Sequence, residues 1–284
     1  MSNLARLVGV LAAAVAAAAL GTLALAQPAQ QQQPAPKPEM RRECPGLVAA
    51  DRPALTPAAF DLAALNPDQV RITYVGHATF EIVSPQGVRI ATDYNDYVRP
   101  LAVPDIATMN HAHDTHYTDH PDPAIKYVLR GWSDTPGKPA IWDMQYRDVR
   151  VRNVPTNIRD GFGGTSYYGN SIFIFEVANL CIAHLGHLHH TLTQQQLDDI
   201  GRVDVVMAPV DGYLTLDLDG MMEVLTALKA PLVIPMHFFD EATLGRFLDR
   251  ARGAWDIERA AVPTVVVSKA TLPAKPKVLV LPGH

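Results

Sequence analysis

The sequence predicts an α/β protein built from two mixed β-sheets packed together with helices outside, and three observations carry that prediction. Short strand-like runs separated by tight turns fill the stretch from about residue 70 to residue 189. From residue 190 onward, apolar strands alternate with amphipathic helical segments, the pattern of parallel strands buried on both faces. No internal repeat at fixed period interrupts this order.

Taken in order, the chain opens with "MSNLAR" and an uncharged Ala-rich run ending in Ala24-Leu25-Ala26, the pattern of a secretory signal peptide over residues 1–26. The alternative is an uncleaved N-terminal membrane anchor. Residues 27–65 read as a Gln/Pro-rich linker and N-terminal extension, too poor in apolar side chains at their start to offset ordering entropy. Residues 66–284 are long enough for one domain with a proper core. "RITYVGHATFEIV" and "GVRIATD" flank the turn "SPQG". "DIATMN", "IKYVL", "PAIW" and "DVRVRNV" follow as strands, and "NSIFIFEV" and "LCIAHLG" suit a hairpin around Ala178-Asn179. "TLTQQQLDDIG" reads as a short helix capped by Thr191 or Thr193 and stopped by Gly201. Strand "VDVVMAPV", helix "LDLDGMMEVLTALKA", strand "PLVIPMH" and a helix capped by Asp240 come next, and "TVVVSKATL" and "KVLVL" close the chain.

A formal net charge of −5 gives no electrostatic case for nucleic acid or an anionic membrane surface as partner. Export implies a periplasmic or secreted protein without stable membrane insertion once the leader is cleaved. It would also place the two cysteines in an oxidising compartment, where Cys44 and Cys181 either form a disulfide or remain one peripheral and one buried thiol.

Eleven histidines are present, and two stretches concentrate them: "NHAHDTH" and "AHLGHLHH". A solvated polar loop is the simple reading of the first, and hydrogen-bonded structural histidines the simple reading of any one residue in the second. Their position argues otherwise. Four apolar strands run straight into a residue able to hold or orient a metal: His111, His187, Asp211 and His237. In α/β sheets the ligand crevice lies at the carboxyl ends of strands, so these residues are expected to converge. His-x-His spacing lets both imidazoles of His111 and His113 face one ion.

The stretches "ITYVGHATFEIV", "IATD", "NHAHDTH", "AHLGHLHH", "VDVVMAPVDG" and "LVIPMH" occur in an order that resembles the metallo-β-lactamase superfamily. The branch most similar is that of ascorbate-phosphate lactonase-like and N-acylphosphatidylethanolamine phospholipase D-like hydrolases. The resemblance covers about residues 70–240. It implies a four-layer αββα sandwich of two mixed sheets, with one or two metals, usually zinc, at one edge. It places His111 and His113 on a first metal and His116 and His237 on a second, with Asp93 and His184 supporting ligands from behind. His77 falls at a position given a structural role. The sequence departs from the family pattern at three places: Thr115 stands at an aspartate position, Asn157 at that of a histidine, and His187 at that of the metal-bridging aspartate. Asp211 adds a carboxylate where relatives commonly have glycine.

Imidazoles in place of carboxylates weaken the pairing of two cations, so one zinc ion is expected at His111, His113 and His187, with His116 and His237 close by. Two ions, or another divalent metal, are the alternatives. Zinc-bound water with a pKa near 7 supplies hydroxide for cleavage of an ester, lactone, amide or phosphodiester bond in a small-molecule substrate. Asp211 or Asp114 would act as general base. Tyr94, Tyr97, Tyr117, Tyr167, Tyr168 and Tyr213 are candidates for an aromatic rim. The competing reading is a non-catalytic relative that binds metal or ligand through a degenerate site.

Overall fold

Alternation of side chains sets the first sheet. In β1 (Val70–Gly76) every second residue is buried, so Val70, Ile72 and Tyr74 face the core while Arg71, Thr73 and Val75 face outward. The computed structural model describes residues 64–111 and 113–283. The expected leader, and all of the linker but its last two residues, therefore lie outside the described residues.

The run read from sequence as one long strand is a hairpin: the chain reverses at His77-Ala78, and β2 (Thr79–Val83) pairs antiparallel with β1. Then follow β3 (Arg89–Ala91), β4 (Ile106–Met109) and β5 (Tyr127–Arg130), which pair in parallel with one another. Much later, β13 (Thr264–Val267) joins the free side of β1, giving a six-stranded sheet in the order β13-β1-β2-β3-β4-β5.

The second sheet has eight strands, in the order β12-β14-β11-β10-β9-β8-β7-β6. Its antiparallel half is β6 (Asp143–Tyr146), β7 (Val149–Arg159), β8 (Thr165–Val177) and β9 (Leu180–His184). Its parallel half adds β10 (Val205–Pro209), β11 (Leu232–Met236), β14 (Lys277–Val280) and β12 (Asp256–Arg259). "PAIW" is not a strand; pairing begins one residue later, at Asp143, where β6 meets β7. Strand β12, "DIER", is largely exposed at a sheet edge and carries no apolar run to announce it.

The helices begin where local chemistry allows. Thr193 caps α1 (Gln194–Ile200) in a reciprocal capping box with Gln196, and Gly201 ends it at positive φ. Asp217 caps α2 (Leu218–Leu228), and Asp240 caps α3 (Glu241–Ala251). One core lies between the two sheets, including Ile72, Phe80, Phe173, Ile182, Met207 and Ile234. A second lies between the eight-stranded sheet and all three helices, including Ile174, Val206, Met221, Leu244 and Phe247. The expected sandwich of two mixed sheets is present. Among the described residues its helices cover one sheet only, and the outer face of the six-stranded sheet is closed by loop side chains such as Tyr94, Tyr117, Ile125 and Trp132. Cys181 is buried on β9, and Cys44, its expected partner or fellow thiol, lies outside the described residues.

No helix among the described residues is long and apolar enough to cross a membrane.

Candidate metal centre

Strands β9, β10 and β11 are parallel neighbours, so the residues that follow them share one edge of the sheet. The loop after β4, in the other sheet, closes over the same edge. Asn110 stitches the two: its side chain donates to Asp93 Oδ1 at 2.8 Å and accepts the Ser171 amide at 2.7 Å. Gly186 passes close by at φ +60°, where a Cβ would lie 2.4 Å from both Asn110 Nδ2 and Asn170 Oδ1. Only glycine fits that crossing.

At this edge His113, His116, His187 and His237 come together, each offering a ring nitrogen, and those nitrogens all lie within 4.8 Å of one another. A tight turn brings the first two in: His116 N–H donates to His113 O at 2.9 Å, and Asn110 N–H to His116 O at 3.1 Å. His113 Nε2 lies 2.9 Å from His187 Nε2. His116 stacks on His237 with centroids 5.2 Å apart. Three residues at the centre, His77, Asp93 and His237, have positive φ of 51°, 41° and 53°. Such conformations are sparsely populated by non-glycine residues and persist where surrounding bonds enforce them. Here His237 N–H and the Tyr74 hydroxyl both donate to His77 O, each at 2.8 Å.

The surroundings keep His77, His113, His116 and His187 neutral. Burial, then the neighbouring histidines, lower the pKa of His116 and His187 far below the ordinary histidine value and that of His77 to about 3. His113, half-buried at the opening, is lowered for the same reasons. Burial pushes Asp93 up to about 6, against the pull of His184 and Asn110. For Asp211 burial also acts upward, but His237 and the donors of Thr215 and Tyr213 outweigh it and hold the carboxylate below its usual range.

The donor set fits a divalent metal. Nε2 of His116 and Nε2 of His237 are buried without a hydrogen-bond partner, and His237 Nδ1 has only the Asp211 carboxylate beside it, at 3.0 Å. Each such atom costs about 1–3 kcal/mol unless something else engages it. Neutral imidazole is the form that binds zinc and similar cations, and the ring nitrogens that converge here are enough to hold one ion.

Not every expected residue belongs to this group. His111 does not: it is exposed, stacks on Trp132 at 4.8 Å and lies 5.2 Å from Tyr117. Its amide donates to Gly169 O, which holds the start of the turn outward, so His116 takes the place expected of it. Asp114 also points away, accepting from the exposed Tyr97 hydroxyl at 2.8 Å. Asp211 is 3% exposed. Its Oδ1 accepts the amides of Tyr213, Leu214 and Thr215, and its Oδ2 the Thr215 hydroxyl. It therefore organises a loop and faces His237 Nδ1 at 3.0 Å, too occupied to serve as a general base. Asp93 stands behind His116 as expected, with Oδ2 2.6 Å from its Nδ1. His184 is fully buried, bonded to Ala78 O and the Gly186 amide, and fixes the loop rather than a ligand. Asn157 accepts the Tyr168 amide in the β7–β8 ladder.

Three contributions were not read from sequence. Thr115 Oγ1 links His113 Nδ1 at 2.8 Å to His77 Nε2 at 3.0 Å. His189 stands 2.6 Å behind His187. The exposed Phe239 forms a lip, with its ring 5.5 Å from His237 and 6.1 Å from His77. The His-x-His spacing of residues 187 and 189 was the available signal for one of these. Of the candidate rim tyrosines, Tyr97, Tyr167 and Tyr213 are exposed, whereas Tyr94 is buried.

Residues 71–237 match the family model described as a beta-lactamase superfamily domain. Among curated proteins the chain is similar to a metal-dependent hydrolase of Thermoplasma acidophilum, 24% identical over 190 residues, covering 60% of this chain and 84% of the relative. A metal-dependent hydrolase of Methanoculleus marisnigri is 26% identical over 182 residues, with 60% and 81% covered. Among solved structures, one from Thermotoga maritima, assigned as a Zn-dependent hydrolase of the metallo-beta-lactamase superfamily, is 27% identical. It superposes with a TM-score of 0.55 over 76% of this chain and 100% of its own. A metallo hydrolase from Ignicoccus hospitalis shares the fold at 17% identity and a TM-score of 0.50, with 70% and 99% covered.

Proposed function

Because the chain belongs to the beta-lactamase superfamily, we propose that it is an exported, zinc-dependent hydrolase acting on an ester, lactone, amide or phosphodiester bond of a small molecule. Metal-dependent hydrolysis is what its relatives are named for. The observation that carries the reading here is the convergence of buried, partnerless imidazole nitrogens on His116 and His237 with those of His113 and His187. Among the described residues they form one group rather than two, and no carboxylate belongs to it, which favours a single ion. Export rests on the leader pattern alone.

A zinc ion held there supplies a Lewis acid that activates water near neutral pH. The chain supplies orientation. Asp93 fixes the ring of His116, Thr115 that of His113, and Asp211 stands behind His237. Half-buried His113 marks the side open to solvent, and Phe239 offers an apolar surface beside it. The non-catalytic alternative draws on one fact: Asp114 and Asp211 are both turned to other partners.

Elemental analysis of the purified protein, paired with an ester and phosphodiester screen before and after chelation, tests the proposal. One equivalent of zinc and chelator-sensitive turnover are expected. Metal-bound protein inert across the screen would favour the non-catalytic reading, and hydrolysis that survives complete metal removal would overturn the metal-dependent one.

A further inference from the structure

The four imidazoles differ in what stands behind them. His113 Nδ1 faces Thr115 Oγ1 at 2.8 Å, His116 Nδ1 faces Asp93 Oδ2 at 2.6 Å, and His237 Nδ1 lies 3.0 Å from Asp211 Oδ2. An oxygen behind Nδ1 draws the ring proton to that nitrogen and leaves Nε2 as a lone pair, the form a metal ligand needs. Thr115 can accept from His113 because its own proton has somewhere to go: His77 Nε2, at 3.0 Å.

His187 is the exception. Its Nδ1 faces a nitrogen, His189 Nε2, at 2.6 Å. The proton between them is fixed from the far side of the His189 ring, where Nδ1 receives the backbone amide of Arg159 at 2.8 Å. A backbone amide can only donate. His189 Nδ1 is therefore a lone pair, its ring proton sits on Nε2, and that N–H points at His187 Nδ1. His187 must accept there. A neutral imidazole that accepts at Nδ1 carries its own proton on Nε2, and His187 Nε2 is the atom 2.9 Å from His113 Nε2, inside the cluster.

Building on the metal-site reading above, we infer that His113, His116 and His237 hold the ion, while His187 presents an Nε2–H into the same pocket as a hydrogen-bond donor to an oxygen of the substrate. His189 is a positioning residue that sets this tautomer from Nε2. Without the ion, the His187 N–H is satisfied by the lone pair of His113. When that lone pair engages a metal, the N–H is released to an oxygen atom bound beside it. A donor aimed where negative charge develops on oxygen stabilises that charge, and the absence of a carboxylate from the group leaves the donor uncontested.

The test compares zinc affinity, measured by competition with a chromogenic chelator, in the unmodified protein, His187→Ala and His113→Ala. His113→Ala should bind zinc more than about a hundredfold more weakly, as for loss of a ligand, whereas His187→Ala should lose clearly less, at most the roughly 10- to 100-fold of a group outside the ligand set. Equal losses in the two variants would overturn the inference while leaving the metal site intact. Unchanged affinity in both would instead overturn the metal-site reading. A second measurement does not depend on any variant folding: ¹⁵N-histidine NMR of the zinc-loaded protein. His187 should show a protonated Nε2 and a lone-pair Nδ1, with the other three histidines protonated at Nδ1. A metal-bound His187 Nε2 would refute the assignment.

Discussion

Two stretches of this chain each carry four histidines and dispose of them differently. In residues 111–120 four histidines lie on a loop, and two of them, His111 and His120, are left at the surface while His113 and His116 turn inward. In residues 184–190 one histidine ends a buried strand and three follow it, and His184, His187 and His189 are all enclosed. The first stretch yields two ring nitrogens backed by oxygen; the second yields one backed by nitrogen and a second histidine that does the backing. Histidine density locates the region of a metal centre. The atoms behind each ring decide which histidines serve it.

The largest break in this comparison should come from His116→Ala. It removes an inward ring nitrogen and leaves the buried Asp93 carboxylate without its histidine partner. Zinc binding should be lost, and the metal-free protein should be destabilised by about 3 kcal/mol, since the change opens a cavity and leaves Asp93 Oδ2 without a donor while Asn110 still holds Oδ1. Urea denaturation of the metal-free forms measures this; a loss below about 1 kcal/mol would show that Asp93 does not depend on His116.

Gly186→Ala should be next. The added methyl would lie 2.4 Å from two asparagine side chains, at a φ of +60° that disfavours any side chain. A loss of about 2 kcal/mol follows from the strain and the disturbed bonds. A thermal shift of the metal-free variant checks it, and an unchanged melting temperature would mean the two loops do not cross as tightly as described.

Acid should act on the second stretch and on His77 beside the cluster. The unfolded chain takes up protons on its histidines from about pH 6.5 downward, whereas folded His189 and His77 wait until about 4 and about 3. Stability linked to these groups is fully present above pH 6.5 and is lost as pH falls toward those values. Asp93 acts in the opposite sense, because its folded pKa of about 6 exceeds the unfolded value, but it is one group against several. The melting temperature of the metal-free protein should therefore fall between pH 6.5 and 4. A flat profile would contradict the enclosure of these histidines.

The smallest effect should come from His111→Ala. That side chain is exposed and stacked on Trp132, so its loss should change stability by less than about 0.5 kcal/mol and zinc affinity hardly at all. Isothermal titration of the variant with zinc would show a difference from His113→Ala if the two stretches are sorted as described.

Much of the architecture was legible because it rests on local rules. Thr193 and Asp240 cap helices where their side chains and neighbours said they would, and the apolar runs at 203–210 and 231–237 became parallel neighbours. The reversal at His77-Ala78 was hidden because histidine at positive φ carries no turn signature, unlike glycine or asparagine. The site divides the same way. Strand ends predicted where histidines gather, and the structure brings His187 and His237 together there with His113 and His116. His111 was misplaced because alternation along a loop cannot be read without knowing where the loop turns. Asp211 was misassigned because a free carboxylate and one holding three amides look identical in sequence.

The anchor of His189 is a main-chain amide, and that has a consequence for genetics. Arg159 touches the pocket through an atom every amino acid except proline possesses, while its guanidinium is spent on the carbonyls of residues 213–215. Alanine scanning would alter the second contact and leave the first untouched, so the control over His187 would pass unseen. The information that sets one proton in the pocket is carried by the path of the backbone, and selection can preserve it without preserving any side chain at position 159.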